Sequence, residues 1–403
     1  MRGGPTDTGR HRDNGGMLNG GRFRTPSPEI RRTSTVLFES VAELADLLGR
    51  TKAGDPTVSV YGTLGTPTTV ALDRLLLAGE GGAGVILGPS GLSAISTALF
   101  SMVRAGSHLL VVDSAYGPAR DLCDGLLARL GVTVEYYDPL IGGGIAGLIR
   151  PSTDAIWMES PGTHTFEIQD VPAIVAAARA ADHPILTGID NTWGSPGLFR
   201  PFDFGVDVSA VALTKYWGGH ADVLMGAVFT TAELLPTIRE TAVQLGVCTN
   251  AEDAFLVIRG ARTVDLRIRA HEASAVEVAR RLAGHPRVGR VLHPALPDFP
   301  GHDLWQRDFH GSSGLFAFEL LAPDGSPADA DQAAAFTDRL ASRGRFGIGY
   351  SWGGYESLVM PAHWPGFVRS VRPWVGGELV RLHVGLEPVA DLWSDIEYAL
   401  GVD

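Results

Sequence analysis

The stretch "AISTALFSMVRAGSHLLVVDSAYGPARDLCDGLLARLGVTVEYYD" (residues 94–138) alternates between two kinds of segment. Two runs typical of amphipathic helices, AISTALFSMVRAG and ARDLCDGLLARLG, are each followed by a short β-branched run, HLLVVD and VTVEYYD. This alternation is typical of right-handed βαβ units, in which successive strands lie parallel in one sheet. The pattern continues through DAIWMES, VPAIVAAARAA, PILTGIDN and VSAVALTKY. We therefore predict an α/β fold built on a mostly parallel sheet.

Beyond about Cys248 the chain changes character. A long helical stretch, AEDAFLVIRGARTVDLRIRAHEASAVEVARRLAGH, precedes the segments SGLFAFELL and ELVRLHVGL, which predicts a smaller C-terminal α+β domain behind a helical connector. At the other end, about the first 30 residues are rich in Gly, Arg and Pro and lack the apolar centre of a secretory signal, which indicates a disordered tail. We predict a tail and arm over residues 1–60, a large domain over 61–248 and a small domain over 249–403.

Composition narrows the choice of partners. The chain has 403 residues, of which 45% are hydrophobic, and its net charge of −12 comes without a basic stripe, which argues against nucleic-acid binding. Cys123 and Cys248 are the only cysteines, too few for a disulfide framework, and no apolar run is long enough to cross a bilayer. We expect a cytoplasmic protein that binds neither nucleic acid nor membrane and has no metal site.

Two predicted strand ends carry residues whose chemistry belongs together. Lys215 follows the apolar run VSAVALT, and Asp190 ends the run PILTGID 25 residues earlier. A strand-end lysine alone is most often a solvent-exposed residue. An acid and a lysine at one edge of a sheet, however, match the needs of pyridoxal phosphate (PLP), because the lysine can form a Schiff base and the carboxylate can keep the pyridine nitrogen protonated.

Two further features follow neighbouring predicted strands. Ser90, Gly91 and Leu92 open an amphipathic helix, whose free backbone N–H groups and positive dipole end could hold a phosphate. An ordinary Ser/Gly helix start fits the same residues equally well. Tyr116 follows the next strand, where its ring could stack on a cofactor, although a lone tyrosine more often serves packing alone.

Ten segments together resemble the Cys/Met-metabolism PLP-dependent enzyme family, and within it the bacterial cystathionine β-lyase branch. They are YGTLGTPTT, GPSGLSAIS, DSAYGP, YYDPLIGGGI, ESPGTHTFEIQDVPAI, DNTWGSPGLFRP, GVDVSAVALTKYWGGHAD, VLHPALPDFPGH, SWGGYESL and VRLHVGLE. The resemblance runs from about Thr33 to the C-terminus. It implies the aspartate-aminotransferase-like fold type I, with a seven-stranded sheet in the large domain, and a homotetramer of paired dimers whose active sites are shared between subunits.

The resemblance also implies a role for each candidate site residue. Lys215 would be the Schiff-base lysine and a catalytic acid–base, Asp190 the partner of the pyridine nitrogen and Tyr116 the stacking, catalytic aromatic. The phosphate would be held at Ser90, Gly91 and Leu92 together with Thr214. An L-amino-acid substrate would be bound by Arg381, Ser351 and Trp352. Tyr61, a further catalytic and cofactor-binding residue, would reach into the neighbouring subunit's site. The chain departs from the family at Thr63, where an arginine normally contacts the partner's phosphate.

Three functions are weighed against these residues. The first is β-elimination at a carbon–sulfur bond, as in cleavage of cystathionine to homocysteine, pyruvate and ammonia. The second is γ-elimination or γ-replacement, including loss of halide from an unusual unsaturated amino acid, to which Thr63 points as a sign of a specialised enzyme. The third, a catalytically silent scaffold, is disfavoured because packing alone requires none of the residues Lys215, Asp190, Tyr116 and Arg381.

Overall fold

A computed structural model of the chain describes residues 15–18, 21–52, 55, 58–362 and 369–401. The strands, in chain order, are β1 Gly15–Leu18, β2 Gly21–Arg24, β3 Gly84–Gly88, β4 His108–Val112, β5 Thr133–Tyr137, β6 Thr153–Glu159, β7 Leu186–Asp190, β8 Val208–Ala212, β9 Gly226–Thr230, β10 Val288–Leu292, β11 Leu315–Leu320, β12 Phe346–Ile348, β13 Ser357–Pro361 and β14 Leu379–His383. The helices are α1 Val41–Lys52, α2 Pro67–Glu80, α3 Gly91–Met102, α4 Gly117–Leu122, α5 Val171–Arg179, α6 Leu235–Gln244, α7 Ala251–Ala261, α8 Val264–Ala283, α9 His302–Asp308, α10 Ala330–Ala341 and α11 Val389–Leu400.

The larger sheet contains seven strands in the order β3-β9-β8-β7-β6-β4-β5. Only β9 runs antiparallel to its neighbours, while β5, β4, β6, β7 and β8 are parallel to one another. The strands β4 and β6 to β8 are almost wholly buried, as expected for parallel strands covered by helices on both faces. The predicted α/β class and mostly parallel seven-stranded sheet are confirmed.

Helix α3 shows how the sequence builds one of these layers. Ser90 precedes the helix in an extended conformation and its Oγ accepts a hydrogen bond from the Ser93 N–H at 3.1 Å, a serine N-cap. Ala94 and Ala98 recur four residues apart on the buried face. Gly91 is needed for the close approach to the sheet, because a Cβ there would lie 2.6 Å from the Cβ of Ala212.

The smaller sheet contains five strands in the order β10-β11-β14-β13-β12, with α8 and α10 packed against it and α11 packed against those two helices. All five strands lie after Cys248, in the part of the chain for which the sequence predicts a smaller α+β domain.

At the N-terminus, β1 and β2 pair as a short antiparallel ribbon, and the part of the predicted disordered tail over residues 1–14 lies outside the described residues. No helix in the described part of the chain has the length and apolar character needed to span a bilayer.

Candidate active site

Lys215 lies in the turn after β8, at the carboxyl edge of the seven-stranded sheet. Its Nζ donates a hydrogen bond to Ser351 Oγ at 2.9 Å and lies 5.2 Å from the centroid of the Trp352 ring. Burial and the positive charge of Arg381 lower the pKa of Lys215 to about 8, while Asp190 acts in the opposite direction. Near neutral pH the amine is therefore much richer in its nucleophilic form than an ordinary lysine.

Asp190 is the last residue of β7, the strand beside β8. Its Oδ1 accepts hydrogen bonds from the backbone N–H of Thr192 at 2.9 Å and from the Thr192 hydroxyl at 2.6 Å. That hydroxyl also accepts from the backbone N–H of Ala212 at 2.9 Å, so one threonine ties Asp190 to the end of β8. Burial raises the pKa of Asp190, whereas Thr192 and the nearby Lys215 charge lower it.

A second buried acid, Glu159, lies directly beside Asp190 and was missed by the sequence analysis. It ends β6 and is the register partner of Asp190 in the sheet. Its Oε2 accepts from the backbone N–H of Tyr116 at 2.6 Å and its Oε1 from the Thr163 hydroxyl at 2.5 Å. Burial and the Asp190 charge raise the pKa of Glu159 well above its ordinary value. The signal for it was a glutamate ending the apolar run DAIWME.

Tyr116 connects this acid pair to the opening of the site. Glu159 holds the backbone of Tyr116 at the start of α4, while the Tyr116 side chain remains 43% exposed. Burial raises the pKa of its hydroxyl, and the charges of Asp190 and Glu159 act in the same direction, whereas Arg381 lowers it. The ring is thus anchored at its backbone and accessible on its surface, close to the groups predicted to bind cofactor and substrate.

Arg381 enters the site from the smaller sheet, on β14 opposite Met360 of β13. Its Nη2 donates to the carbonyls of Tyr350 at 2.6 Å, Gly349 at 3.3 Å and Ser351 at 3.5 Å, and contacts Met360 Sδ at 3.3 Å. Burial lowers the pKa of Arg381 to about 10, which leaves it charged at neutral pH. Within the described residues, the hydrogen bonds of the guanidinium are all made by Nη2, whereas Nε and Nη1 make none, so these two N–H groups remain available to a carboxylate.

The loop that carries Ser351 and Trp352 approaches Lys215 closely because a glycine follows. A Cβ on Gly353 would lie 2.9 Å from the carbonyl carbon of Lys215, and the φ of +83° at Gly353 also favours glycine. The Gly353 N–H donates to His383 Nε2 at 3.1 Å. Gly353 was not singled out from the sequence, although the glycine pair in SWGG was the available signal.

The start of α3 and Thr214 form the predicted phosphate-binding region. The N–H groups of Gly91 and Leu92 are in the first turn of α3 and have no acceptor within the helix. Thr214 joins β8 to β9, since its Oγ1 donates to the Met225 carbonyl at 3.2 Å and accepts from the Met225 N–H at 3.0 Å. The predicted phosphate role of Thr214 would require its hydroxyl to turn away from the Met225 carbonyl.

Tyr61 and Thr63 both precede α2, and Tyr61 is 47% exposed. Thr63 lines a cleft of about 1810 Å³ together with Arg74 and Arg239. Across the described ranges, no hydrogen bond or ring contact joins either residue to Lys215. The predicted reach of Tyr61 into a neighbouring subunit's site stays a prediction.

The assembled residues fit PLP, the cofactor that the resemblance implies. Lys215 offers a buried amine with a lowered pKa for the aldehyde, and Asp190 offers a carboxyl group for the pyridine nitrogen. The free N–H groups of Gly91 and Leu92, at the positive end of α3, suit a phosphate. Each chemical part of the cofactor thus has a matching group at one edge of the sheet.

Comparisons with known proteins agree with this chemistry. The sequence profile described as "Cys/Met metabolism PLP-dependent enzyme" matches residues 14–401. The chain is 43% identical to a cystathionine beta-lyase of Bordetella avium over 92% of this chain and 90% of that one. It is 41% identical to a cystathionine beta-lyase of Escherichia coli K12, over 94% and 96%. The crystal structure of cystathionine gamma synthase from Xanthomonas oryzae pv. oryzae with aminoacrylate and cysteine has a TM-score of 0.82 and 30% identity, covering 93% and 92%.

Proposed function

The chain belongs to the Cys/Met metabolism PLP-dependent enzyme family, and from that premise we propose that it cleaves a carbon–sulfur bond of an L-amino acid by β-elimination. The substrate class is that of cystathionine, which would give homocysteine, pyruvate and ammonia. The fold type I prediction and the cofactor prediction are confirmed by the family match and by the structural neighbours. The carbon–sulfur bond is proposed from the activity for which the two lyase relatives are named.

One observation carries the proposal: the Lys215 amine lies close enough to the Asp190 carboxyl and the Arg381 guanidinium that the first raises its pKa and the second lowers it. PLP, when bound, supplies an electron sink that stabilises negative charge on the substrate's α-carbon. The chain then has to hold the cofactor, orient the substrate and move one proton.

The residues divide these tasks. Lys215 Nζ would hold the cofactor and afterwards carry the α-proton, a role for which burial has already brought its pKa to about 8. Ser351 Oγ, 2.9 Å from Nζ, would keep the amine directed into the site. Asp190 would retain a proton on the pyridine nitrogen. Arg381 would bind the substrate carboxylate, because a planar guanidinium can donate two parallel hydrogen bonds to it.

We extend the proposal to assembly and location. Tyr61 would complete the site of a neighbouring subunit in a homotetramer, which accords with its exposure and with the lack of a hydrogen bond to Lys215 among the described residues. We also propose a cytoplasmic location. The two cysteines are unpaired, as is usual for proteins of that compartment.

A second candidate, γ-elimination or γ-replacement, is retained because of Thr63. This neutral, exposed residue stands where the family pattern has an arginine, so the neighbouring site would lack a charge and gain space. The same Lys215, Asp190 and Arg381 would serve either reaction.

The product distinguishes the two candidates. Purified protein would be incubated with PLP and L-cystathionine, and keto acids and thiols would be identified by mass spectrometry. β-Elimination gives pyruvate and homocysteine, whereas γ-elimination gives 2-oxobutanoate and cysteine. The Lys215→Ala variant is the control for background reaction with free PLP. Formation of 2-oxobutanoate as the main keto acid, or no turnover above the control, would contradict the proposed β-elimination of cystathionine.

A further inference from the structure

Besides the acid pair formed by Asp190 and Glu159, a third acidic side chain is buried among residues that flank the predicted site. Glu80 is the last residue of α2 and is 1% exposed. Asn191 Nδ2 donates to its Oε1 at 2.5 Å, and Ser195 Oγ donates to its Oε2 at 2.6 Å. Ser209 Oγ, on β8, donates to Oε1 at a longer 3.4 Å. Among the described residues, this buried carboxylate has hydrogen-bond donors but no cationic partner within salt-bridge distance.

The residues that donate to Glu80 lie close in the chain to the predicted cofactor-binding residues. Asn191 directly follows Asp190, and Ser209 belongs to the strand that leads to Lys215. Ser195 Oγ also accepts from Trp217 Nε1 at 2.8 Å, and Trp217 comes two residues after Lys215. Hydrogen bonds to Asn191, to Ser209 and, through Ser195, to Trp217 therefore connect the Glu80 carboxylate to the chain segments that carry Asp190 and Lys215.

The hydrogen-bond pattern also fixes which groups donate. Asn191 Nδ2 donates to the Phe199 carbonyl at 3.1 Å as well as to Glu80, and both partners are acceptors, so the amide cannot be reversed without losing both bonds. Both Glu80 oxygens accept. An amide in place of the carboxylate would offer one acceptor instead of two. Burial raises the pKa of Glu80 to about 7, while the hydrogen bonds from Ser195, Asn191 and Ser209 favour its charged form.

We infer that Glu80 is a positioning residue for the proposed reaction, which sets the separation between the Asp190 carboxyl and the Lys215 amine by holding Asn191 and, through Ser195, Trp217. This inference rests on the proposed PLP-dependent function. Glu80 touches neither residue directly and acts through the backbone of their neighbours. Sites of this kind must be held to within about 0.5 Å, and a displacement of about 1 Å can lower the rate by about 100-fold.

The principal test is the Glu80→Gln variant of the PLP-loaded protein. With the carboxylate gone, one of the donors Asn191 and Ser195 loses its acceptor. We expect kcat with cystathionine to fall about tenfold while KM changes by less than about twofold, since the Arg381 clamp is unaffected. The pH midpoint of the visible absorbance of the lysine-bound cofactor should also shift by about half a unit, because the Asp190 charge acts on Lys215 from a changed distance.

Asp395→Asn is the matched control. Asp395 is also a wholly buried carboxylate, bound by Arg343 at 3.0 Å and Arg345 at 3.0 Å on the smaller sheet's side, with no hydrogen bond to the residues around Lys215 in the described chain. Its substitution should lower the melting temperature without changing kcat or the absorbance midpoint. Glu80→Gln with wild-type kcat and midpoint, and only a lowered melting temperature, would overturn the inference.

Ser195→Ala tests the inference again if Glu80→Gln does not fold. It leaves Glu80 in place but removes both the donor to Oε2 and the acceptor of Trp217. We expect the same direction of change in kcat and in the absorbance midpoint, and unchanged values in this variant would overturn the inference. A wild-type protein that forms no visible band with PLP would instead overturn the proposed function itself, together with the inference that depends on it.

Discussion

The charge state of Lys215 yields the sharpest quantitative prediction, because the chain has only one other lysine. Lys52 and Lys215 are the two lysines in 403 residues, and Lys52 lies exposed at the end of α1. The pKa of Lys215 falls from 10.5 to about 8 on burial, with a contribution from Arg381. At pH 7 about 9% of a lysine with this pKa is neutral, against about 0.03% for an ordinary lysine, a ratio of about 300-fold.

This ratio can be measured directly as a difference in reactivity between two sites. PLP-free protein would be exposed briefly to PLP across pH 6 to 10, reduced with borohydride, and digested for quantification of the two lysine-containing peptides. Because the neutral amine is the reacting form, labelling of Lys215 should rise with pH and reach half its maximum near pH 8. At pH 7 it should exceed labelling of Lys52 by about two orders of magnitude.

Two substitutions of Arg381 test the cause of the shift. Arg381→Gln removes a positive charge that lowers the pKa of Lys215, so the labelling midpoint should move to higher pH. Arg381→Lys keeps the charge and serves as the matched control, with a midpoint near that of the wild type. A wild-type midpoint near pH 10, or equal labelling of the two lysines at pH 7, would refute the idea that burial prepares Lys215 for cofactor capture.

The remaining predictions concern the other predicted site residues. Asp190→Asn should reduce kcat far more than PLP affinity, because a neutral amide cannot stabilise a protonated pyridine nitrogen; near-normal turnover in steady-state assays would remove Asp190 from the mechanism. Arg381→Lys should raise KM for cystathionine by about 10- to 100-fold with a smaller effect on kcat, since an ammonium group cannot form the planar two-bond clamp; an unchanged KM would place the carboxylate elsewhere. Thr63→Arg should slow PLP dissociation by about ten- to a hundredfold if the missing phosphate contact is its only consequence. If Thr63 instead makes room for an unusual substrate, PLP dissociation should stay unchanged and the native reaction should be suppressed.

The carboxyl edge of the sheet was predictable from local sequence. Asp190 and Lys215 each follow an apolar run, and parallel strands bring their carboxyl ends to one edge, which is where the structure places both residues. Arg381 could be joined to them only through the family resemblance. It lies on the smaller sheet, and no periodicity in the sequence indicates that β14 approaches the turn after β8.

Glu80 was beyond prediction for a different reason. In the sequence it appears in the run LLLAGEGG, where a glutamate before two glycines is typical of an exposed helix end. Its burial depends on Asn191, Ser195 and Ser209, which lie more than a hundred residues later in the chain. The donors to Glu80 are hydroxyl and amide groups, which do not stand out in a sequence as partners of an acid. A salt bridge would have required a basic residue, which the sequence analysis could have searched for.

The charges at the site also limit what single substitutions can reveal. Asp190 raises the pKa of Lys215, and Lys215 lowers the pKa of Asp190, so each residue favours the charged form of the other against the common effect of burial. Glu159 is a second carboxyl group at the site, and the Asp190 charge raises its pKa. Replacing Asp190 therefore changes the protonation of both Lys215 and Glu159, and the loss measured for that variant includes this change. Only combined substitutions, compared with the sum of the single ones, separate the direct role of Lys215 from its electrostatic dependence on Asp190.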